Sequence, residues 1–406
     1  MEEKPRVVMM GLGYIGLPTA ALIASRGIHV TGVDISEEVI ETINKGQIHI
    51  VEPDLDGLVH HVVKNGYLIA KNAPVEADVY LIAVPTPFKE NNVPDLTFVM
   101  SATKNIISTL EAGALVILES TSPVGTTKKM QEFIYKERPE LEGHIDIAYC
   151  PERVLPGNII YELEHNDRAI GGLDEASTER AVAFYSYFVK GELHRTNART
   201  AEMCKLVENS SRDAQIAFAN ELSMICDKAD INVWELIHLA NKHPRVNILS
   251  PGTGVGGHCI AVDPWFIVSE FPNEANLIRA SREINNYKTD WVVEKIKNTA
   301  LQFKIDNNRD AVIACMGLAF KPNIDDLRES PALRVNDALI NEGFNVLSVE
   351  TNIHDSLERK LTKPTEAIQD ADIIVFLVAH NEFKGIKLPE EKKILDFCGA
   401  LDKNKF

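Results

Sequence analysis

Cys259 follows a run in which four of seven residues are glycine, Pro251-Gly-Thr-Gly-Val-Gly-Gly257, and Asp263 stands four residues beyond it. A lone thiol is most often a buried core group. A segment so rich in glycine makes a poor core, however, and an open flexible approach suits a nucleophilic thiol. Lys205 and Asn209 are four residues apart, on one face if the segment is helical. A cation beside an amide can lower a thiol pKa and stabilise an oxyanion. Upstream, Gly11-Leu-Gly13-Tyr14-Ile15-Gly16 follows a short apolar run, with Asp34 18 residues after Gly16. The glycines permit a tight turn and close backbone approach, the next helix N-terminus faces a pyrophosphate, and Asp34 takes ribose hydroxyls. An acid at that position repels a 2′-phosphate, so NAD is expected rather than NADP.

These residues need elements to hold them. Arg6–Met10 reads as a buried parallel strand, Tyr14–Ser25 as a helix, and His29–Val33 as a strand ending at Asp34. Further strands are expected over Asp78–Val84, Leu115–Leu118 and Ile145–Ala148, separated by helix-length segments. That pattern indicates a doubly wound parallel sheet. From Arg199 to Asp230 the chain lacks Gly and Pro and carries apolar residues at helical spacing, which predicts one helix about 45 Å long. Its exposed face suits a dimer interface. Helices are also expected over Val233–Ala240 and Glu274–Asn298, and a strand over Ala311–Met316.

The last section echoes the first. Arg26-Gly-Ile-His-Val-Thr-Gly-Val-Asp34 resembles Glu342-Gly-Phe-Asn-Val-Leu-Ser-Val-Glu350, and Glu76–Val84 resembles Asp370–Val378. The interval from Gly11 to Asp34 is 23 positions and that from Gly317 to Glu350 is 33. The extra residues fall at the first strand-to-helix loop, and two nucleotide-type pockets follow from such a repeat. The fold class is therefore α/β: two Rossmann-like doubly wound domains joined by a helical domain built on one long helix. Expected boundaries are 1–198, 199–300 and 301–406.

Composition narrows the functional classes. The chain has 406 residues, 45% hydrophobic and 25% charged, which excludes disordered, collagenous and coiled-coil proteins. Its 42 basic and 59 acidic residues give a net charge of −17, which disfavours nucleic acid or an anionic membrane as partner. The six cysteines form no C-x-x-C pair or zinc-type cluster, so no metal site is expected. Val7–Ala24 is free of charge, but Gly11, Gly13, Gly16 and Pro18 interrupt it. A buried strand running into a buried helix explains it better than a signal peptide or membrane span.

GLGYIGLPTA (Gly11–Ala20), YCPERVLPG (Tyr149–Gly157), TAEMCKLVENS (Thr200–Ser210), GGHCIAVD (Gly256–Asp263) and GLAFKPNIDDLRES (Gly317–Ser330) together resemble the UDP-glucose/UDP-N-acetylhexosamine 6-dehydrogenases, over almost the whole chain. The resemblance is strongest to members acting on UDP-N-acetyl-D-mannosamine, on Ile48–Asp56, His243–Ile248 and His258–Phe266. UDP-glucose enzymes usually carry Ser before the cysteine, where His258 stands. The resemblance implies a four-electron oxidation at C6 to the uronate with two NAD per sugar, through a thiohemiacetal and thioester on Cys259. UDP-N-acetylglucosamine and UDP-glucose are the alternative substrates.

By the same likeness Lys205 and Asn209 stabilise oxyanions, Asp263 positions Lys205 and water, Glu152 acts as base in thioester hydrolysis, and Thr121 holds a water. Gly11, Gly13, Tyr14, Ile15, Gly16, Asp34, Pro85, Thr86, Thr121 and Arg328 would contact NAD. Arg153, Val154, Lys205, Asn209, Gly252, Gly257 and Lys321 would contact the UDP-sugar, with Arg245 reaching it from a neighbouring subunit. A cytoplasmic enzyme of surface-polysaccharide synthesis, working as a homodimer or higher homo-oligomer, is the expectation.

Overall fold

The computed structural model describes residues 4–50, 52–89, 92–154, 157–257, 259–353 and 360–401. Val51, Leu155, Pro156 and His258, which belong to the motifs above, lie outside the described residues. The chain divides into two compact units, Met1–Glu208 and Asn209–Phe406.

In the first unit the order is β1 (Val7–Met10), α1 (Gly16–Ser25), β2 (Val30–Val33), α2 (Glu37–Asn44), α3 (Leu55–Lys64), β3 (Leu68–Lys71), β4 (Val79–Ile82), α4 (Thr97–Ile106), β5 (Leu115–Leu118), α5 (Thr126–Glu137) and β6 (Asp146–Tyr149). Then come α6 (Ile159–His165), β7 (Arg168–Gly172), α7 (Glu175–Tyr185), β8 (Leu193–Asn197) and the start of α8 (Ala198–Ala229). The strands form one sheet in the order β3-β2-β1-β4-β5-β6-β7-β8, parallel throughout except that β7 runs against β6. Val7 and Met9 of β1 pack into one apolar cluster, and Val8 and Met10 into another. The sheet is thus buried on both faces, which is why its strands read as unbroken apolar runs.

The second unit holds the rest of α8, then α9 (Val233–Ala240), α10 (Asp263–Glu270), α11 (Asn276–Asn307), β9 (Val312–Met316), α12 (Pro331–Asn341), β10 (Asn345–Val349), α13 (Pro364–Asp370), β11 (Ile373–Phe376) and β12 (Lys393–Asp396). Its sheet is parallel, in the order β10-β9-β11-β12. Ile313 and Cys315 of β9 face one cluster, Ala314 and Met316 the other.

The internal repeat is real at the level of hydrogen bonds. Gly11 (φ +92°) donates its amide to Val33 O at 2.8 Å, and Gly317 (φ +90°) donates to Val349 O at 2.9 Å. Both positions need the left-handed backbone that glycine adopts without strain. The long helix spans Ala198–Ala229, one residue earlier than expected at each end. Two expectations fall short: α11 continues to Asn307 rather than Asn298, and α1 starts at Gly16, with Tyr14 still in the turn. Strands β3, β7, β8 and β12 have no counterpart among the strands expected from sequence.

Candidate active site

The first loop of the first unit has space where a ligand would need it. A Cβ at Gly16 would lie 1.9 Å from Gly11 O and one at Gly11 2.4 Å from Ala83 O, so both glycines serve the turn itself. A Cβ at Gly13 would meet nothing within 4 Å. Helix α1 carries no acidic residue in its first turn and no side chain caps it, so its N-terminal amides suit an anion. Asp34 accepts the amides of Leu12 and Ser36, each at 3.0 Å, which orients its carboxylate beside the loop. Tyr14 is exposed and Ile15 half-buried. This open glycine loop, uncapped helix and fixed acid fit NAD.

Ser120 Oγ accepts the amide of Val84 at 2.9 Å and lies 2.8 Å from Val84 O, tying together the segments that carry Pro85–Thr86 and Thr121. Thr86 and Thr121 are half-buried, Pro85 exposed. Glu202, buried on α8, accepts the amides of Gly125 (2.5 Å) and Thr127 (2.8 Å), and so caps α5 and anchors the chain after Thr121. Buried Glu52 does the same for the loop after Val154, accepting the amides of Gly157 at 2.9 Å and Ile159 at 2.8 Å.

Beneath these loops lies a buried charged cluster. Glu152 Oε2 accepts Arg168 Nη1 at 2.8 Å, and Oε1 accepts the Arg153 amide at 2.5 Å. Tyr185 donates its hydroxyl to Glu119 Oε1 at 2.6 Å, and burial pushes the Glu119 carboxyl up to about 7. Arg153 pairs with Glu208 at 3.0 Å, and Val154 packs on the core.

In the second unit, Asp263 donates its amide to Cys259 O at 2.8 Å, placing the two residues one turn apart at the start of α10. Asn209 donates its side-chain amide to Asp263 Oδ2 at 2.6 Å, and Asp263 is buried. Cys259 is exposed, whereas burial pushes the Cys150 and Cys315 thiols up to about 12. Thiols so disfavoured as thiolates are poor nucleophiles. Lys205, half-buried, lies on α8 one turn before Asn209.

The glycine run before Cys259 requires a correction. It is a tightly packed strap rather than an open approach: a Cβ at Gly256 would lie 2.5 Å from Glu329 O, one at Gly257 (φ +79°) 2.9 Å from the Phe320 ring, and one at Gly254 2.4 Å from Thr289 Oγ1. Gly254, Gly256 and Gly257 are small so that the Phe320–Pro331 segment can lie against them, and Gly257 donates its amide to Arg328 O at 3.1 Å. Lys321 of that segment is exposed. The Arg328 guanidinium pairs with Asp326, Nη2 to Oδ2 at 2.6 Å. Arg245 is exposed in a loop closed by paired hydrogen bonds between Asn241 and Ile248.

Sequence reasoning missed the polar chain that holds this strap. Arg282 donates to Asp213 Oδ1 at 2.6 Å, Asn285 to the same oxygen at 2.7 Å, Asn220 to Asn285 Oδ1 at 2.9 Å, and the Gly252 amide to Asn220 Oδ1 at 2.8 Å. All four side chains are buried between α8 and α11. The available signal was Asp213 and Asn220, polar residues seven apart on the helix face that also carries Ala217.

Comparison with known proteins gives the geometry a family. Residues 5–189 match the NAD binding domain of the UDP-glucose/GDP-mannose dehydrogenase family, 199–287 its central domain and 314–403 its UDP binding domain. The chain belongs to that family. Among dehydrogenases of this family, UDP-N-acetyl-D-mannosamine dehydrogenase of Campylobacter jejuni is 54% identical over 415 residues, covering 98% of this chain and 100% of the relative. NDP-N-acetyl-D-galactosaminuronic acid dehydrogenase of Ralstonia nicotianae is 52% identical, covering 93% and 91%. The solved UDP-D-ManNAc dehydrogenase of Pyrococcus horikoshii is 39% identical and covers 98% of this chain and 96% of its own, with a TM-score of 0.89. Among the described residues no helix is long and apolar enough to cross a membrane.

Proposed function

We propose that this protein oxidises UDP-N-acetyl-D-mannosamine at C6 to UDP-N-acetyl-D-mannosaminuronate. The observation that carries the proposal is the 54% identity, nearly end to end, with a dehydrogenase named for that substrate. NAD, when bound, accepts a hydride from C6 in each of two oxidations. One sugar and one water thus yield the carboxylate, two hydrides and three protons.

Cys259 adds to the aldehyde carbon of the first product and holds it as a thiohemiacetal, whose oxidation leaves a thioester. Capture of this kind keeps a reactive aldehyde from escaping. Lys205 and Asn209 stabilise the oxyanions, Asp263 fixes Asn209 and positions Lys205 and water, and Thr121 holds a water. Glu152, kept beside the Arg168 guanidinium, serves as base toward the water that cleaves the thioester. Lys321, Arg153, Val154, Gly252 and Gly257 contact the UDP-sugar, and Arg328 reaches the cofactor pyrophosphate.

The working arrangement is three domains, 1–198, 199–300 and 301–406, in a cytoplasmic homodimer or higher homo-oligomer. Exposed Phe218 and Ile225, seven residues apart on α8, support a partner surface there. Arg245 of one copy would then reach the sugar of the other. A second substrate, another UDP-N-acetylhexosamine, has the Ralstonia nicotianae relative in its favour. NADH formation across UDP-N-acetylmannosamine, UDP-N-acetylglucosamine, UDP-N-acetylgalactosamine and UDP-glucose, with NAD and with NADP, tests the assignment. Highest kcat/KM for the mannosamine sugar with NAD is expected, and preference for any other sugar overturns it.

A further inference from the structure

The two sheets use the acid after their second strand differently. In the first unit Asp34 accepts one amide of the glycine loop, that of Leu12. In the second, Glu350 Oε2 accepts two, from Leu318 at 2.7 Å and Ala319 at 2.9 Å, while Oε1 accepts the amides of Thr351 at 2.7 Å and Asn352 at 2.9 Å. His380 Nε2 adds a fifth contact to Glu350 Oε2 at 3.2 Å. So many donors outweigh the cost of burial and hold the Glu350 carboxyl down to about 2. A carboxylate engaged in this way has no capacity left for a ribose diol.

His380 is fully buried, and its second nitrogen reaches the same loop further on. The Asn323 amide donates to His380 Nδ1 at 3.0 Å, so Nδ1 is the acceptor and Nε2–H faces Glu350. The Asn352 side-chain nitrogen also lies 2.9 Å from Nδ1. Asn323 has a left-handed backbone (φ +61°), and its Oδ1 accepts the amide of Asn381 at 2.8 Å. The loop is therefore pinned at Leu318, Ala319 and Asn323, on both sides of exposed Lys321.

We propose that Glu350 and His380 are positioning residues for the UDP end of the substrate, presetting the loop that carries Lys321. The proposal rests on the reading that Lys321 meets the substrate phosphate. A preset loop removes an ordering cost from binding, so its loss falls on UDP-sugar affinity rather than on chemistry.

The test uses the full-length enzyme with UDP-N-acetyl-D-mannosamine, and UDP alone by calorimetry. His380→Phe keeps the ring and its edge contact with Phe383, whose centroid is 5.4 Å away, but removes the contacts to Glu350, Asn323 and Asn352. It is expected to raise UDP-sugar KM and UDP Kd about tenfold or more, with kcat and NAD KM within about threefold of wild type. His380→Asn, which restores an acceptor for Asn323, should recover part of the loss. Should His380→Phe fail to fold, Asn323→Gly keeps the amide and φ but drops the Asn381 tie, and a rise in UDP Kd is expected from it. Lys321→Ala separates the two ideas. If it raises UDP Kd while His380→Phe, or Asn323→Gly in its place, does not, the positioning role is overturned. If Lys321→Ala leaves UDP Kd unchanged, the phosphate reading fails and the proposal with it.

Discussion

Asn209 is held by Asp263, Nδ2 to Oδ2 at 2.6 Å, and Asp263 is itself one hydrogen-bonded turn from Cys259. The amide is thus aimed before any substrate arrives. A preorganised oxyanion donor is worth about 10²–10³ in rate. Asn209→Ala should lower kcat by about that factor while leaving NAD KM unchanged in steady-state kinetics. Wild-type kcat in the variant would remove Asn209 from the chemistry.

Asp34 carries two duties, orienting the glycine loop through Leu12 and receiving the ribose. Asp34→Ala should raise NAD KM at least about tenfold and narrow the preference for NAD over NADP, since a good hydrogen bond to a charged group is worth about 1.5–3 kcal/mol. Unchanged NAD affinity by calorimetry would contradict the assignment.

Two glycines make opposite predictions. Gly257 combines φ +79° with a Phe320 ring 2.9 Å from any added Cβ, so Gly257→Ala should cost about 1–3 kcal/mol of stability, read as a lower Tm. Gly13 has room for a Cβ. Gly13→Ala should keep its Tm without ligand and lose NAD affinity, because the added methyl occupies the approach of the pyrophosphate.

Glu119 ties stability to pH. Its carboxyl is raised to about 7 by burial, from 4.5, so between those values the folded protein holds a proton that the unfolded chain has released. Stability is then lost as pH rises through that window, and the penalty is complete above about 7. Glu119→Gln keeps an acceptor for Tyr185. The Tm difference, variant minus wild type, should grow from pH 4.5 to pH 8. A difference independent of pH would show that Glu119 is ionised in the fold at all these values.

The parts of the molecule legible in the sequence are those fixed by local backbone geometry. The spacing of Gly11, Gly13 and Gly16 encodes a turn that few other residues can make, and the run free of Gly and Pro before Asp230 encodes α8. The repeat pairing Asp34 with Glu350 was legible for the same reason. Strand β8 was not, because Leu193-His-Arg-Thr-Asn197 is a polar edge strand with no buried alternation. Strand β7 buries Arg168 among glycines, a composition that suggests a loop. The Asp213–Arg282 pair joins residues 69 positions apart, and each alone resembles a solvated helix charge. The glycines before Cys259 misled because glycine marks either freedom or crowding, and only the positions of Thr289, Phe320 and Glu329 distinguish the two.

The most direct measurement is the NADH formed per UDP-N-acetyl-D-mannosamine consumed, followed by absorbance in wild type and in Cys259→Ala. Covalent capture predicts two NADH per sugar for wild type and no more than one for the variant, with aldehyde accumulating. Two NADH per sugar from Cys259→Ala at the wild-type rate would contradict the account.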